Sequence, residues 1–357
     1  MENSIHSKYA IWGITPGSIN IARRIADTLA DADVYISSNL SDKDNNLHLK
    51  HFFHFEKLRD KVSEVFHLYE GHIFIMATGI VVRMIAPLIR NKATDPGVVV
   101  IDDRGKFAIS LISGHIGGAN ELTQKVADII GALPVITTAT DVNKVPSVDL
   151  TAKKAGLVIE NPNAIKYVNM AFLKGERVSL IDPCHILPDN DRLLYINTEN
   201  LRPATCDLQP CIYISEEIRN LPENYLILRP KNLVAGIGCN RNTGMDEIEA
   251  FLRKVMKEFG LSFSSLKNIA SIDIKKDEPG LIRLAENLKI PIDFYSKDDL
   301  NNVKNIQTPS SMVKKHIGVN SVCEAAAMLS AKRDSLIVPK QKSGNVTLAI
   351  AKIPFLS

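Results

Sequence analysis

Apolar residues follow two rhythms along this chain. Short, nearly unbroken runs such as Lys8-Tyr9-Ala10-Ile11-Trp12, Val34-Tyr35-Ile36-Ser37, His72-Ile73-Phe74-Ile75-Met76-Ala77, Val98-Val99-Val100-Ile101 and Phe107-Ala108-Ile109-Ser110-Leu111-Ile112 are rich in strand formers. Their length and composition predict strands buried on both faces, as in a sheet covered by helices. The second rhythm is helical. Ile19 to about Ala30 is one such stretch, and Ala119, Leu122, Val126, Ile129 and Ile130 recur at helical spacing until Gly131. Met245, Ile248, Leu252, Val255, Met256 and Phe259 line one face of a later helix, as core residues and not a cofactor box. Strands alternating with helices predict an α/β protein.

Polar, glycine-rich turns mark the handovers from strand to helix. Ser113-Gly114-His115-Ile116-Gly117-Gly118-Ala119-Asn120-Glu121 joins Phe107–Ile112 to the Ala119 helix, and Pro134-Val135-Ile136-Thr137-Thr138 completes a strand, helix, strand unit. Such a unit sets its strands parallel, so the turn lies at their carboxyl edge, where open α/β sheets bind ligands and free helix N–H groups point. Asp102-Asp103-Arg104-Gly105-Lys106 reads as a hairpin turn between antiparallel strands. Asp102 and Asp103 then lie at the edge away from His115, whereas Lys92-Ala93-Thr94-Asp95-Pro96-Gly97 and Ala139-Thr140-Asp141 share the edge that carries it. His115 titrates near neutrality, and the glycines beside it let backbone approach a ligand, so the turn can combine a base with oxyanion donors. A tight turn with a capped histidine is the competing reading.

A second glycine turn, Thr78-Gly79, leads into Ile80-Val81-Val82-Arg83-Met84-Ile85-Ala86. Residues 142–230 carry recurrent proline and mixed charge without such a turn, and read as a small α+β domain or connector. Leu233-Val234-Ala235-Gly236-Ile237-Gly238-Cys239 begins another patterned region, with strands at Ile269–Ile274, Ile290–Phe294 and Leu336–Val338 and a helix at Pro279–Leu288. The expected organisation is an amino-terminal α/β domain (1–141), the middle region (142–230) and a carboxyl-terminal three-layer α/β/α domain (231–357). Lys340-Gln341-Lys342-Ser343-Gly344-Asn345 reads as a turn between strands. Its lysines can clamp carboxylates or simply face solvent.

Composition narrows the function. Hydrophobic residues make up 45% and charged residues 23% of the 357 residues, and the net charge is only +3, which gives no basic footprint for nucleic acid. No apolar run reaches the length of a membrane span, and Met1 to Tyr9 has no signal-peptide core, so a cytoplasmic protein is expected. Cys184, Cys206, Cys211, Cys239 and Cys323 are scattered without a C-x-x-C pair, which suits a reducing compartment. His48, His51 and His54 recur every third residue, but no carboxylate or cysteine shares that spacing, and no metal site is expected. The glycines after the first strand and at Gly236-Ile237-Gly238 do not complete a dinucleotide fingerprint, and no phosphate-binding P-loop occurs. A nucleotide-dependent oxidoreductase is therefore poorly supported.

Ala77-Thr78-Gly79-Ile80-Val81-Val82-Arg83, Lys92-Ala93-Thr94-Asp95-Pro96, the Ser113–Glu121 stretch and Thr138-Ala139-Thr140-Asp141 resemble the amino-terminal part of the cobalt-precorrin-5A hydrolase family of anaerobic cobalamin biosynthesis. Gly236-Ile237-Gly238-Cys239, Asp277-Glu278-Pro279-Gly280-Leu281, Ser321-Val322-Cys323-Glu324-Ala325-Ala326-Ala327 and Pro339-Lys340-Gln341-Lys342-Ser343-Gly344 are similar to its carboxyl-terminal domain. That domain also resembles a stand-alone protein of the aerobic pathway, so the amino-terminal motifs discriminate. Asn240 departs from the pattern, standing where a basic residue is expected, with Arg241 adjacent.

The resemblance implies hydrolysis of the ring A δ-lactone of cobalt-precorrin-5A, with loss of acetaldehyde to give cobalt-precorrin-5B. It implies His115 as base, Glu121 or Asp141 as orienting or second proton-transfer group, and the N–H groups of Gly117 and Gly118 as oxyanion donors. Gly79, Arg83, Lys92, Thr94, Gly114, Asn120, Gly238, Glu324, Lys340, Lys342 and Ser343 are the remaining candidate substrate contacts. No cofactor is expected, because cobalt arrives with the substrate. The partners implied are a cobalt-corrinoid and, as further candidates, neighbouring cobalamin-pathway enzymes, with no nucleic acid and no membrane. A non-catalytic carrier of corrinoid intermediates is the alternative, distinguished by returning the lactone unchanged.

Overall fold

A computed structural model describes residues 7–40, 51–91, 94–143, 145–197 and 209–354. The chain forms two compact units, Met1–Leu150 and Thr151–Ser357. The first contains β1 (Tyr9–Gly13), α1 (Pro16–Thr28), β2 (Ala32–Ser37), β3 (Phe52–Phe55), α2 (Leu58–Val65), β4 (Gly71–Ile75), α3 (Thr78–Ile85), β5 (Gly97–Ile101), β6 (Phe107–Ile112), α4 (Ala119–Ile130), β7 (Leu133–Val135), α5 (Ala139–Val142) and the start of α6 (Val148–Lys154). Its strands form one sheet in the order β3-β2-β1-β4-β5-β6-β7.

Alternation along these strands builds two cores. Ile11, Val34, Ile36, Ile73, Ile75, Val99 and Ile101 pack with Ile21 and Ile25 of α1 and Leu122 and Val126 of α4. The intervening Ala10, Trp12, Tyr35, Phe74, Val98 and Val100 pack with Val62 of α2 and Val81 and Met84 of α3. Both faces are covered, which is why the strands read as continuous apolar runs. A polar pair, Trp12 and His72, lies inside the second core. Trp12 Nε1–H donates to His72 Nδ1 at 3.1 Å, and His72 Nε2–H donates to the Phe66 carbonyl at 2.9 Å. Each nitrogen of His72 thus has one role, and the ring is neutral.

Strand direction decides which loops share an edge. β1 to β5 are mutually parallel, β6 runs antiparallel to β5, and β7 is parallel to β6. Val98 pairs with Ile112 and Ile101 with Ala108, so the turn after Ile112 lies beside the start of β5. The exits of β1 and β4 into α1 and α3 lie at the other edge, with Asp102 and Asp103.

The second unit holds two sheets. β8 (Val158–Ile159), α7 (Ile165–Leu173), β9 (Val178–Ile181), β10 (Leu193–Tyr195), β11 (Cys211–Ile214) and β12 (Tyr225–Arg229) make the first, ordered β10-β9-β11-β12-β8, with β8 antiparallel to β12 and the other pairs parallel. The other sheet is ordered β15-β14-β13-β17-β16. It comprises β13 (Leu233–Cys239), α8 (Met245–Glu258), β14 (Leu266–Ile272), α9 (Pro279–Leu288), β15 (Ile292–Tyr295), α10 (Lys297–Asn301), α11 (Ser311–His316), α12 (Val322–Ala331), β16 (Val338–Ser343) and β17 (Val346–Lys352). Leu233, Ala235 and Ile237 meet α8 and α9, while Val234 and Ala270 meet α12. This gives three layers. Gly236 is required here: a Cβ would lie 1.9 Å from the Cys323 carbonyl oxygen of α12.

Among the described residues, no helix is long and apolar enough to cross a membrane, and no group of three or more His, Cys, Asp or Glu is placed to hold a metal ion. His48 and Cys206 lie outside the described residues. His51 instead approaches Asp33, at 3.5 Å.

Candidate active site

The carboxyl edge of the parallel pair β6–β7 carries the polar cluster that the turn after Ile112 prefigured. Ser113 adopts φ 57°, in the left-handed region, and Gly118, at φ 80°, caps α4. Three bonds close the turn: Gly118 N–H to the His115 carbonyl (3.0 Å), Ala119 N–H to Ser113 (3.1 Å) and Asn120 N–H to Gly114 (3.0 Å). A Cβ at Gly117 would lie 2.3 Å from Ser113 Cβ, and one at Gly114 would lie 2.8 Å from Asn120 Oδ1. Gly114 and Gly117 therefore serve the compactness of the loop. Gly118 N–H is already bonded and is no open oxyanion donor, which leaves Gly117 N–H as the candidate.

The compact turn sets His115 between two carboxylates. Its Nε2 lies 2.8 Å from Asp141 Oδ2 and 3.0 Å from Thr140 Oγ1, both on α5. Its Nδ1 lies 3.0 Å from Ser147 Oγ and 3.4 Å from Asp149 Oδ2, at the start of α6. The Ser147 hydroxyl donates to Asp149 in a short hydrogen bond. Asn120 ties the cluster to the sheet: Nδ2 donates to Asp141 Oδ2 (2.9 Å) and Thr138 Oγ1 (3.0 Å), and Oδ1 accepts from Ser110 Oγ on β6 (2.6 Å).

Exposure separates the two carboxylates. The Asp141 side chain is 38% exposed, against 12% for His115 and 9% for Asp149. The hydrogen bond to Asp149, opposed by burial and reinforced by Asp141, holds the His115 pKa above the ordinary imidazole value. Burial would raise that of Asp149, but hydrogen bonds from His115 and Ser147 prevail and bring it down to about 2. The result is a hydrogen-bonded histidine–aspartate pair, with the aspartate part-exposed, on a buried anionic support.

Three family models cover most of the chain: "Cobalamin synthesis G N-terminal" matches residues 60–141, "Cobalamin biosynthesis central region" 146–230 and "Cobalamin synthesis G C-terminus" 233–351. The "Cobalt-precorrin-5A hydrolase" of Priestia megaterium is 38% identical, over 97% of this chain and 95% of that protein. The chain belongs to the cobalamin synthesis G family. The protein of the same description from Salmonella typhimurium is 35% identical over 96% of this chain and 97% of its own length. "Protein CobE" of a Sinorhizobium species is 32% identical over only 33% of this chain.

Against this family background the other candidate residues divide. Asp95 shares the His115 edge but is buried, its Oδ2 accepting the N–H groups of Arg90 and Asn91 at 2.9 Å. Thr94 is exposed beside it, and Lys92 lies outside the described residues. Glu121 does not join the cluster: it pairs with Lys125 one helical turn on, at 3.1 Å, both side chains exposed. Gly79 and Arg83 lie at the opposite sheet edge, because β4 and β6 run in opposite directions, and Arg83 Nη1 donates to the Gly79 carbonyl at 3.2 Å.

In the second unit Glu324 serves the fold internally. It is wholly buried, and its carboxylate accepts from Gln307 N–H (3.1 Å), Thr308 N–H (3.1 Å), Thr308 Oγ1 (2.5 Å) and Lys340 N–H (3.2 Å). Lys340, half-buried, and Lys342 and Ser343, exposed, belong to strand β16 and not to its turn. Gly238 packs on Thr347, whose hydroxyl donates to the Gly238 carbonyl at 3.1 Å. Asn240 is occupied by Asn345, and Arg241 by Asp277 and the Ile274 carbonyl.

Sequence reasoning missed Ser147 and Asp149, and placed Thr140 at this edge without giving it a role. Ser147-Val148-Asp149 has the serine-then-acid wording of a helix start, which was the available signal. It lies beyond residue 141, where the amino-terminal domain was expected to end.

Proposed function

We infer that this chain catalyses the reaction named for its relatives, the hydrolysis of cobalt-precorrin-5A: water opens the ring A δ-lactone, and the two-carbon fragment leaves as acetaldehyde. The observation that carries this reading is His115 held between Asp141 and Asp149 at the carboxyl edge of β6–β7. Ester hydrolysis and the following carbon–carbon cleavage each need one group to take a proton and one to return it, and this cluster supplies both within hydrogen-bond distance. Gly117 N–H, in the turn just before α4, is suited to the developing oxyanion. Thr94 and Asn120 border the same edge. Lys340, Lys342 and Ser343, on β16 near Gly238, offer cations and a hydroxyl to the carboxylates that rim a corrinoid. Cobalt enters as part of the substrate.

The test is anaerobic incubation with cobalt-precorrin-5A, with mass measurement of the macrocycle and trapping of acetaldehyde. Wild-type protein is expected to release one acetaldehyde per lactone opened, and His115→Ala to slow release by ~10²–10⁴-fold with little change in affinity. Return of the unopened lactone by wild-type protein would establish a carrier instead. Near-native turnover by His115→Ala would remove His115 from the chemistry.

A further inference from the structure

Hydrogen-bond accounting around His115 constrains its protonation state. The Ser147 hydroxyl hydrogen is committed to Asp149, so Ser147 Oγ can only accept from Nδ1. At the other nitrogen, Asp141 Oδ2 already accepts from Asn120 Nδ2, as an ionised carboxylate does, and lies 2.8 Å from Nε2. Both ring nitrogens therefore face acceptors, an arrangement that an imidazole with two N–H groups satisfies, and the Thr140 hydroxyl, 3.0 Å from Nε2, accepts there as well in that state. Neither hydrogen bond of Asp141 uses its second oxygen, Oδ1, and this carboxylate is the more exposed of the two.

We propose that His115 works as an imidazolium acid positioned by Asp149, and that Asp141, on its Nε2 side, is the base that activates water. This division of labour rests on the hydrolase reading given above, and it reverses the base role that the sequence suggests for His115. In the first step a water proton passes to Asp141, the hydroxide oxygen bonds to the lactone carbonyl carbon, and the ester C–O bond breaks. The released alkoxide takes the Nε2 proton. Transfer of the proton from Asp141 to His115 across their contact restores both groups. In the second step Asp141 removes the new hydroxyl proton, the C=O bond of acetaldehyde forms as the C–C bond breaks, and the macrocycle carbon takes the electron pair and a proton from His115. The pair is again reset, with one water consumed and no redox partner. Asp149 touches no reacting atom; it is a positioning residue, with Ser147 as its link.

Among the described residues, Asp141 and Asp149 are the charged groups acting on His115, from α5 and α6. The decisive measurement is the titration of the His115 imidazole by NMR in the free protein, beside the pH dependence of acetaldehyde release. Wild-type His115 should titrate above 6.5, the ordinary imidazole value, and turnover should fall as pH rises through that titration. Asp149→Asn, close to isosteric, should lower both the titration and the alkaline limb together, cutting kcat above the limb roughly tenfold for each pH unit that the limb moves while KM holds. Asp149→Glu should restore part of the shift, and Asp141→Asn should abolish turnover while leaving substrate affinity intact. An imidazole of wild-type His115 that titrates at or below 6.5 overturns the proposal even if the protein is a competent hydrolase. So does an alkaline limb unmoved in Asp149→Asn. Failure of wild-type protein to release acetaldehyde tells against the hydrolase reading itself, and the NMR titration stands apart from it.

Discussion

The buried His72 makes acid stability measurable at one residue. Its ring is fully enclosed among Trp12, Phe66 and Phe74, and burial lowers its pKa from 6.5 to about 4. A base whose folded pKa is depressed stays unprotonated in the native state while the unfolded chain binds the proton. Stability is thus fully present above 6.5 and is lost as pH falls from there toward 4. A gap of that size corresponds to about 3 kcal/mol in total, and about 2 kcal/mol of it is gone by pH 5. Trp12, the chain's one tryptophan, donates to His72 and reports the event directly. Urea unfolding followed by its fluorescence, at pH 7.5 and pH 5, should show wild-type protein losing about 2 kcal/mol more than His72→Gln. The variant should be the less stable of the two at pH 7.5, because it gives up ring contacts, and the flatter with pH, because it cannot titrate. Equal slopes in the two proteins would refute the reasoning.

Two other expectations separate support from chemistry. Glu324→Ala removes a wholly buried carboxylate from three part-buried backbone N–H groups and a hydroxyl and should destabilise the second unit by ~1–3 kcal/mol in thermal or urea unfolding; a change confined to substrate affinity would make it a ligand. Glu121→Gln should leave acetaldehyde release within about twofold, since it loses only an exposed helix pair worth ~0.5 kcal/mol, whereas Lys342→Ala should raise the substrate Kd by at most about fivefold at unchanged kcat. A hundredfold fall in kcat for either variant would contradict the placement of that residue.

Local pattern was enough for much of this protein. Continuous apolar runs are what a strand buried on both faces requires, and the helix Pro279–Leu288 was bounded correctly because proline begins it and the face repeats strictly. The hairpin at Asp102, the strand, helix, strand unit through β7, and the meeting of His115 with Asp141 all follow from short-range chain direction, which turns and connection lengths dictate. The cobalamin motifs added the chemistry. Other features needed the whole sheet. Gly79 and Arg83 fall at the far edge only because β4 and β6 run oppositely, a relation between strands separated by a hairpin. Glu324, a candidate substrate contact by its motif, is an internal anchor, since its environment comes from residues 307, 308 and 340. Asp149 and Ser147 reach His115 through a fold-back after β7 that carries no glycine or periodicity of its own. Most telling is the proton on His115. A histidine in a glycine turn suggests a base, and only the three-dimensional sum of neighbours, two carboxylates and a committed hydroxyl, favours its protonated form, because charge state depends on groups brought together through space and not along the chain.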